Sequence, residues 1–424
     1  MKKIKFQSRV VRIAALLGSA GVVIFFCQVF IWTAANSAAG GADRKEVGDL
    51  LVKLSPSDPQ THLAAAVLHE RTFEPGDQEI ALKEYELAAA LSPYNYLMWI
   101  RFGSARGRAG DSVGAESALR RTIDLAPNYA RVHWGLGNLL LRENREDEAY
   151  DHIRKAVNTD PSLAAAAASI ALQLSDGNVN AVKERFAGMP EVGIRLVLIL
   201  TEQKQYGDAM DVWRSIKLPT MSPNFLESAK EFEHKLFDGK QYRLATEVGE
   251  VISADSGKNS IGKISNQGFE LPVRAQNSGH FDWKVPLSNF PQFAVTDVVR
   301  RDGRFSLSAL LNSSDGGNFQ GITQMIAVEP GRAYKLSGYY RSDVRSKAEY
   351  FWEVVSGMDL KQLAVSKSLI PTSEWTEFGA KFRVPNDADG IQIRFVRGSC
   401  TGSACSAAGS FWFDDFDISV SVDK

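Results

Sequence analysis

Pro59, Pro93, Pro127 and Pro161 stand 34 residues apart. A period of that length confines the region to a stack of small, similar helical units. Other residues recur in step. Gly76-Asp77 returns as Gly110-Asp111, and Ala81 with Tyr85 returns as Ala115 with Leu119 and as Ala149 with Ile153. Trp99, Phe102 and Gly103 open one unit; Trp134, Leu136 and Gly137 open the next, with the Trp one place later. Gly103 and Gly137 let one helix of a pair approach the other, and Ala81, Ala115 and Ala149 do the same from the facing helix. The large residue four places after each Ala fills the groove between neighbours. Each Pro ends a helix, because its ring has no amide hydrogen and clashes with the preceding turn.

This pattern resembles the tetratricopeptide repeat, in which an aromatic, a small residue, Ala-x₃-large and Pro follow in that order. The resemblance implies antiparallel helix pairs stacked into an α-solenoid whose concave face receives a protein partner. Three units are clear and about three degenerate ones follow, together spanning residues 43–252. In the degenerate part Ala209 and Trp213 keep the spacing, and the last pair before residue 252 reads as a cap. The first helix of each pair lines the concave face, which makes Arg101, Arg108, Arg131, Asn138 and Arg142 the candidate partner contacts. Some members of the family hold a peptide's terminal carboxylate with Lys, Arg and Asn at such places; a solvated basic face is the plainer alternative. His62, His69, His133, His152 and His234 show no metal-ligand spacing and are expected to pack or to face solvent.

Residues 13–35 contain no charge, and about twenty-three residues cross a hydrocarbon core of ~30 Å as a helix. Lys2, Lys3, Lys5, Arg9 and Arg12 precede them and hold that end in the cytoplasm. Residues 1–36 are thus expected to be a single-pass anchor in a bacterial inner membrane, with the bulk of the chain in the periplasm. A cleaved signal peptide competes, since "TAANSAAG" is rich in small residues, but such apolar regions run only about 7–15 residues. In an exported, oxidising compartment Cys400 and Cys405 are expected to form a disulfide. Acidic and basic residues nearly cancel, at a formal charge of −1, which leaves no field to hold nucleic acid.

Residues 253–263, rich in Ser and Gly, form a polar linker. After it the hydrophobic period falls to two, with short runs such as "FSLSALLN", "AYKLSGYYR", "AEYFWEVV", "IQIRFVRG" and "SFWFDDFDISV". Seven or more such strands indicate a β-sandwich over residues 264–422, opening with "ISNQGFE" as its first strand. The fold class is therefore multidomain, α plus all-β.

The order of features here is similar to jelly-roll carbohydrate-binding modules of bacterial glycanases. Asn266, Phe269 and Glu270 match an opening N-x-x-F-E, with Trp283 after it. "QMIAVEPGRAYKLSGYYRSD", "WTEFGAKFRVP" and "FWFDDFDI" follow in the family's order. The resemblance implies neighbouring first and last strands, and a structural Ca²⁺ held by Glu270 with Asp414 or Asp415; ordinary strand-end carboxylates are the alternative. No other cofactor is expected. Sugar binding needs flat aromatic faces and planar polar groups. Strand alternation puts Tyr339 and Arg341 on one face and Gln392 and Arg394 on another polar face, here expected to form one concave sheet for an acidic glycan. Trp283, Trp352 and Trp375 are the stacking candidates, although most aromatics in such sandwiches are core.

Phosphate-binding and dinucleotide Gly patterns, G-x-S-x-G and His-Glu metal helices are missing from the sequence. The "DDFD" run lies on a terminal strand rather than across a cleft. A binding or scaffold protein is therefore expected, not an enzyme: either an assembly protein that contacts a polysaccharide, or a scaffold whose sandwich makes protein contacts only.

Overall fold

The computed structural model describes the chain except residues 1–8, 73, 218–221, 253–259, 277, 288–289, 316, 401–404 and 422–424. Lys2, Lys3, Lys5 and most of the 253–263 linker lie outside the described residues. The chain divides into two compact units, residues 1–170 and 171–424.

The first unit opens with α1 (Arg9–Ala39), a 31-residue helix with mean hydropathy 2.3 in its most apolar window, long and apolar enough to cross a membrane. Its last turns join the folded part. Ala35 is buried, and the Asn36 amide donates to both oxygens of Asp58 at 3.1 and 3.0 Å. Asp58 in turn accepts the Gln60 N–H at 3.0 Å, next to the start of α3. After α2 (Lys45–Leu54) come three antiparallel pairs: α3 (Pro59–Thr72) with α4 (Asp77–Leu91), α5 (Tyr96–Arg108) with α6 (Ser112–Leu125), and α7 (Ala130–Arg142) with α8 (Glu146–Thr159).

The recurring small residues sit where the pairs close. A Cβ on Gly137 would lie 2.8 Å from the Ile153 side chain and 3.1 Å from the Ala149 carbonyl. One on Gly103 would lie 3.1 Å from Leu119. A second regularity accompanies them. His62, Trp99 and His133 each donate a ring N–H to the carbonyl of the proline six residues earlier, Pro56, Pro93 and Pro127, at 2.9, 3.1 and 2.7 Å. Each first helix is tied in this way to the turn that precedes it. His62, His69, His133 and His152 are buried and hydrogen-bonded.

The helix α9 (Ala164–Leu174) spans the division. The second unit continues with α10 (Val179–Arg185), α11 (Pro190–Glu202), α12 (Tyr206–Ser215), α13 (Pro223–Asp238) and α14 (Tyr242–Ile252). Ten strands follow: β1 (Gln292–Thr296), β2 (Ser306–Ser313), β3 (Thr323–Ala327), β4 (Ala333–Ser342), β5 (Arg345–Ser346), β6 (Tyr350–Ser356), β7 (Gln362–Val365), β8 (Thr372–Arg383), β9 (Gly390–Arg397) and β10 (Ala407–Val420). They form two sheets. One runs β1-β2-β10-β4-β8, with β5 also on β10; the other runs β3-β9-β6-β7. All described pairings within them are antiparallel. Burial alternates along β4, with Tyr334, Leu336 and Tyr340 inward and Lys335, Tyr339 and Arg341 outward, as a half-buried strand requires.

The core between the sheets is aromatic. Trp352 is fully buried, stacks on Phe378 and meets the edges of Phe413 and Phe416. Trp283 packs edge-on to Trp352 and Phe416. The segment "ISNQGFE" is not a strand. Asn266 and Phe269 take positive φ, 51° and 57°, which breaks extended pairing, and the Asn266 side chain bridges the backbone of Leu271 instead. Phe269 is nonetheless an anchor, buried against Trp283 and Phe416, and the Gln267 carbonyl accepts the Phe416 N–H of β10 at 3.1 Å.

The last helix pair is docked on the sandwich. The Asp389 carboxylate accepts the Tyr242 and Arg243 N–H groups at the start of α14, at 3.2 and 3.1 Å. The Tyr242 hydroxyl donates to the Gly357 carbonyl at 2.9 Å. Its ring lies where a Cβ on Gly390 would be, 2.2 Å away, so that position admits only glycine. Between α13 and the sandwich, His280 is stacked on both Phe237 and His234.

Candidate functional site

The aromatic and basic groups that remain accessible on the sandwich gather on the outer face of the six-stranded sheet. The register places Trp412 of β10 opposite Arg341 of β4 on one side and Ser308 of β2 on the other. Phe411 and Phe413 flank Trp412 and are buried, so the indole between them points outward and is half-buried. Arg341 has no hydrogen-bonded or ion-paired partner among the described residues. Tyr339, two places before it, carries the Arg301 guanidinium 3.6 Å above its ring centre. Trp375 of β8 donates its indole N–H to the Arg300 carbonyl at 3.2 Å. The 297–305 loop thus lies beside Tyr339 and Trp375, while Trp412 and Arg341 stay clear of those contacts.

Gln392 and Arg394 are elsewhere. Both point outward from β9, which belongs to the four-stranded sheet, so they lie on the opposite side of the sandwich from Tyr339 and Arg341. The single concave sheet expected from alternation therefore does not exist. The Arg394 guanidinium is already engaged, donating to Glu353 on the neighbouring strand at 2.6 Å. Trp283 and Trp352 are core residues, as their burial shows, and stacking on a sugar needs an open ring face. Trp412 is the residue that the sequence reading passed over, although its alternation with two phenylalanines identifies it.

Glu270, Asp414 and Asp415 converge on residues 301–305. Glu270 accepts the Arg304 and Phe305 N–H groups at 2.8 and 3.1 Å. Asp414 is fully buried and accepts from Arg301 N–H at 3.0 Å, Asp302 N–H at 3.3 Å and Asp415 N–H at 2.9 Å. Asp415 pairs with the Arg301 side chain. Burial pushes the Asp414 carboxyl up to about 6, reinforced by Asp415 and opposed by the N–H donors. The three side chains thus accept hydrogen bonds that anchor the 301–305 segment, and a cation shared with Asp415 would compete with Arg301. Among the described residues no group of three or more His, Cys, Asp or Glu is placed to hold a metal. Cys400 and Cys405 are disulfide-bonded and pack against the core.

In the first unit a groove of about 830 Å³ is lined by Arg101, Arg108 and Arg131, with Tyr85, Tyr129 and Trp134. Arg108 is paired with Glu70, which also accepts the Tyr85 hydroxyl at 2.9 Å. Arg101 and Arg131 are exposed and have no ion-paired partner among the described residues. Asn138 bonds back to the Trp134 carbonyl within its own helix at 2.8 Å, and it and Arg142 are outside the groove lining.

Residues 263–402, about a third of the chain, match the family described as "Carbohydrate binding domain". The sandwich is thus similar in sequence to non-catalytic carbohydrate-binding modules. The DnaJ homolog subfamily C member 3 proteins of Bos taurus and Homo sapiens are each 27% identical over 106 residues, 25% of this chain. The chain spans only 20% of the length of those relatives. A solved structure titled "CBM4 structure and function" is 21% identical, with TM-score 0.29, covering 37% of this chain and 99% of its own. One titled "Crystal structure of MamA" is 16% identical, with TM-score 0.28, covering 44% of this chain and 87% of its own.

Proposed function

We propose that this chain is a non-enzymatic, membrane-anchored envelope protein whose sandwich contacts a polysaccharide at the outer face of the six-stranded sheet. The carrying observation is the cross-strand pair of Trp412 and Arg341. A half-open indole offers a flat face to a pyranose ring, and an unpaired guanidinium beside it suits a carboxylate on that sugar or the next. Tyr339 supports the site by holding Arg301, rather than by stacking. Gln392 and Arg394 belong to the other face and are not part of it. The helical groove, with Arg101 and Arg131 unpaired and Arg108 at its wall, takes a protein partner that carries an acidic group. The apolar helix α1 anchors the chain in a bacterial inner membrane with the remainder in the periplasm. Exopolysaccharide or capsule assembly and export is the process that joins these parts.

The test is affinity electrophoresis of the full chain in detergent through gels containing polygalacturonate, dextran sulfate or neutral dextran. Retardation by at least one polymer, lost in Arg341→Ala and in Trp412→Ala with melting temperature unchanged, supports the reading. No retardation by any of the three, with the protein folded, overturns it. A structural Ca²⁺ at Glu270, Asp414 and Asp415 is proposed separately; a melting temperature that EDTA leaves unchanged argues against it.

One observation favours the second reading, a scaffold whose sandwich binds no sugar. The docking of α14 through Tyr242 and Asp389 shows the sandwich already serving as a seat for helices. In that case the Trp412 and Arg341 variants behave as wild type in every gel.

A further inference from the structure

We propose that the β8 edge of the six-stranded sheet carries a second, cationic subsite, formed by Lys335, Lys367 and Lys381, for acidic substituents of a polysaccharide. The inference rests on the reading that this outer face contacts such a polymer, and adds a site that the Trp412–Arg341 pair does not explain.

Lys335 of β4 and Lys381 of β8 are direct partners in the antiparallel register. Tyr334, Leu336, Ala380 and Phe382 on either side of them are buried, so both lysines point outward on the same face. Like charges directly opposite one another destabilise a sheet. Lys367, in the segment before β8, joins them around one open cavity of about 580 Å³. Only Glu377 brings a negative charge to its lining, and the three lysines against one glutamate leave a net +2. Glu377 is committed to Lys335, whose amine it accepts at 2.7 Å. Lys367 and Lys381 are exposed, and among the described residues their ammonium groups have no hydrogen-bonded or ion-paired partner. Asp417 of β10 stands across β4 from the cavity, opposite Ser337. Ser368 and Thr376 in the lining add hydroxyls suited to an oxyanion.

Lysines on an edge strand also discourage edge-to-edge association. That role explains lysine on β8; it does not explain one placed opposite another lysine and beside a third around a single cavity. An anion removes the conflict by accepting from all three ammonium groups. Lys335 and Arg341 share β4 and its outward face, six residues apart, or about 20 Å at ~3.3 Å per residue. A polymer lying along the strand reaches both.

The experiment uses the full chain in detergent, with polygalacturonate and dextran sulfate as the anionic probes and neutral dextran as control. In Lys381→Glu the lysine opposition is gone, so its melting temperature without polymer rises above that of wild type. Its retardation in the anionic gel falls by about three- to tenfold. Lys361→Glu makes the same charge change away from this face and leaves retardation as in wild type. Dextran sulfate, if sulfate is the substituent, or polygalacturonate, if carboxylate is, raises the melting temperature of wild type more than that of Lys381→Glu. Equal retardation of Lys381→Glu and wild type, with Arg341→Ala impaired, overturns the subsite and leaves the first site standing. Equal losses in Lys381→Glu and Lys361→Glu also overturn it, since only net charge then matters. A wild type retarded by neither anionic polymer overturns the subsite, and one retarded by none of the three polymers overturns both.

Discussion

In the first unit the helices meet through small side chains. Ala66, Ala81, Ala88 and Ala89 make one buried cluster around Tyr85 and Phe102, and Ala115, Leu119, Leu136 and Ala149 make a separate one further on. The sandwich has instead a single continuous core, in which Trp283, Trp352, Phe413 and Phe416 touch one another. The difference separates two kinds of stability. An array of locally packed pairs loses stability where it is damaged, by roughly nearest-neighbour terms. A sandwich closed on one aromatic cluster loses it as a whole. It also divides the candidate surfaces, since the array keeps Arg101 and Arg131 in a groove and the sandwich keeps Arg341 on the outer face of a sheet.

The comparison breaks most readily at Trp352. Its replacement by Ala is expected to cost about 3–5 kcal/mol and to abolish the near-ultraviolet signal of the sandwich, while most helical ellipticity survives. Helical signal lost in the same transition would show that the two regions are not independent in stability. Gly137→Ala forces a methyl into Ile153 and is expected to cost about 1–3 kcal/mol. Faster amide exchange confined to α7, α8 and their neighbours is the expected pattern; loosening throughout the array would contradict local packing.

The third prediction concerns acid. His133 donates its Nε2 proton to Pro127, which leaves its Nδ1 to accept the Nδ1 proton of His152 at 2.9 Å. Burial, reinforced by His133, holds the His152 imidazole down at about 4. Between about pH 6.5 and 4 the unfolded chain therefore binds a proton that the folded chain refuses, and stability falls as pH falls through that window. The loss, about 1–2 kcal/mol for a ring not wholly sealed from water, is absent in His152→Gln. Thermal melts of the two proteins at pH 7 and pH 5 check it. His69 has the opposite sign: burial opposes its charge, but hydrogen bonds to Asp49 and Asp77 outweigh it and raise its pKa. Its contribution is present below pH 6.5 and is lost as pH rises through the folded value.

The smallest effect is expected at the seat of α14. Tyr242→Phe removes one hydrogen bond to Gly357 and should cost about 1 kcal/mol. A sandwich fragment beginning after residue 252 would expose that seat, so such a fragment is expected to melt below one that keeps α13 and α14.

The helical pairs were legible because Gly and Ala recur at fixed spacing for a steric reason that the structure repeats. The prolines were legible only in part, since Pro93 and Pro127 stand in turns, whereas Pro59 opens α3 and Pro161 a short helix, and Pro56 takes the turn position of the first pair. The strands from Ser306 onward were legible from alternation, but the short β1, β5 and β7 were not, since a few residues carry too little period. Alternation reports which way a side chain points, not which sheet its strand joins. That is why Tyr339 and Arg341 were grouped with Gln392 and Arg394, although β4 and β9 lie in different sheets. The same rule, applied to Phe411-Trp412-Phe413, would have found the exposed indole. "ISNQGFE" misled for another reason: Phe269 is a buried anchor, but Asn266 and Phe269 bend the backbone away from any strand.

Hydroxyl-radical footprinting of the full chain, with and without the polymer that retards it, tests the central claim most directly. The account predicts that the polymer protects Trp412 and leaves Met325 and Phe351, on the four-stranded sheet, unchanged. Protection of Met325 and Phe351 with Trp412 still oxidised would contradict it and move the polysaccharide to the opposite face of the sandwich.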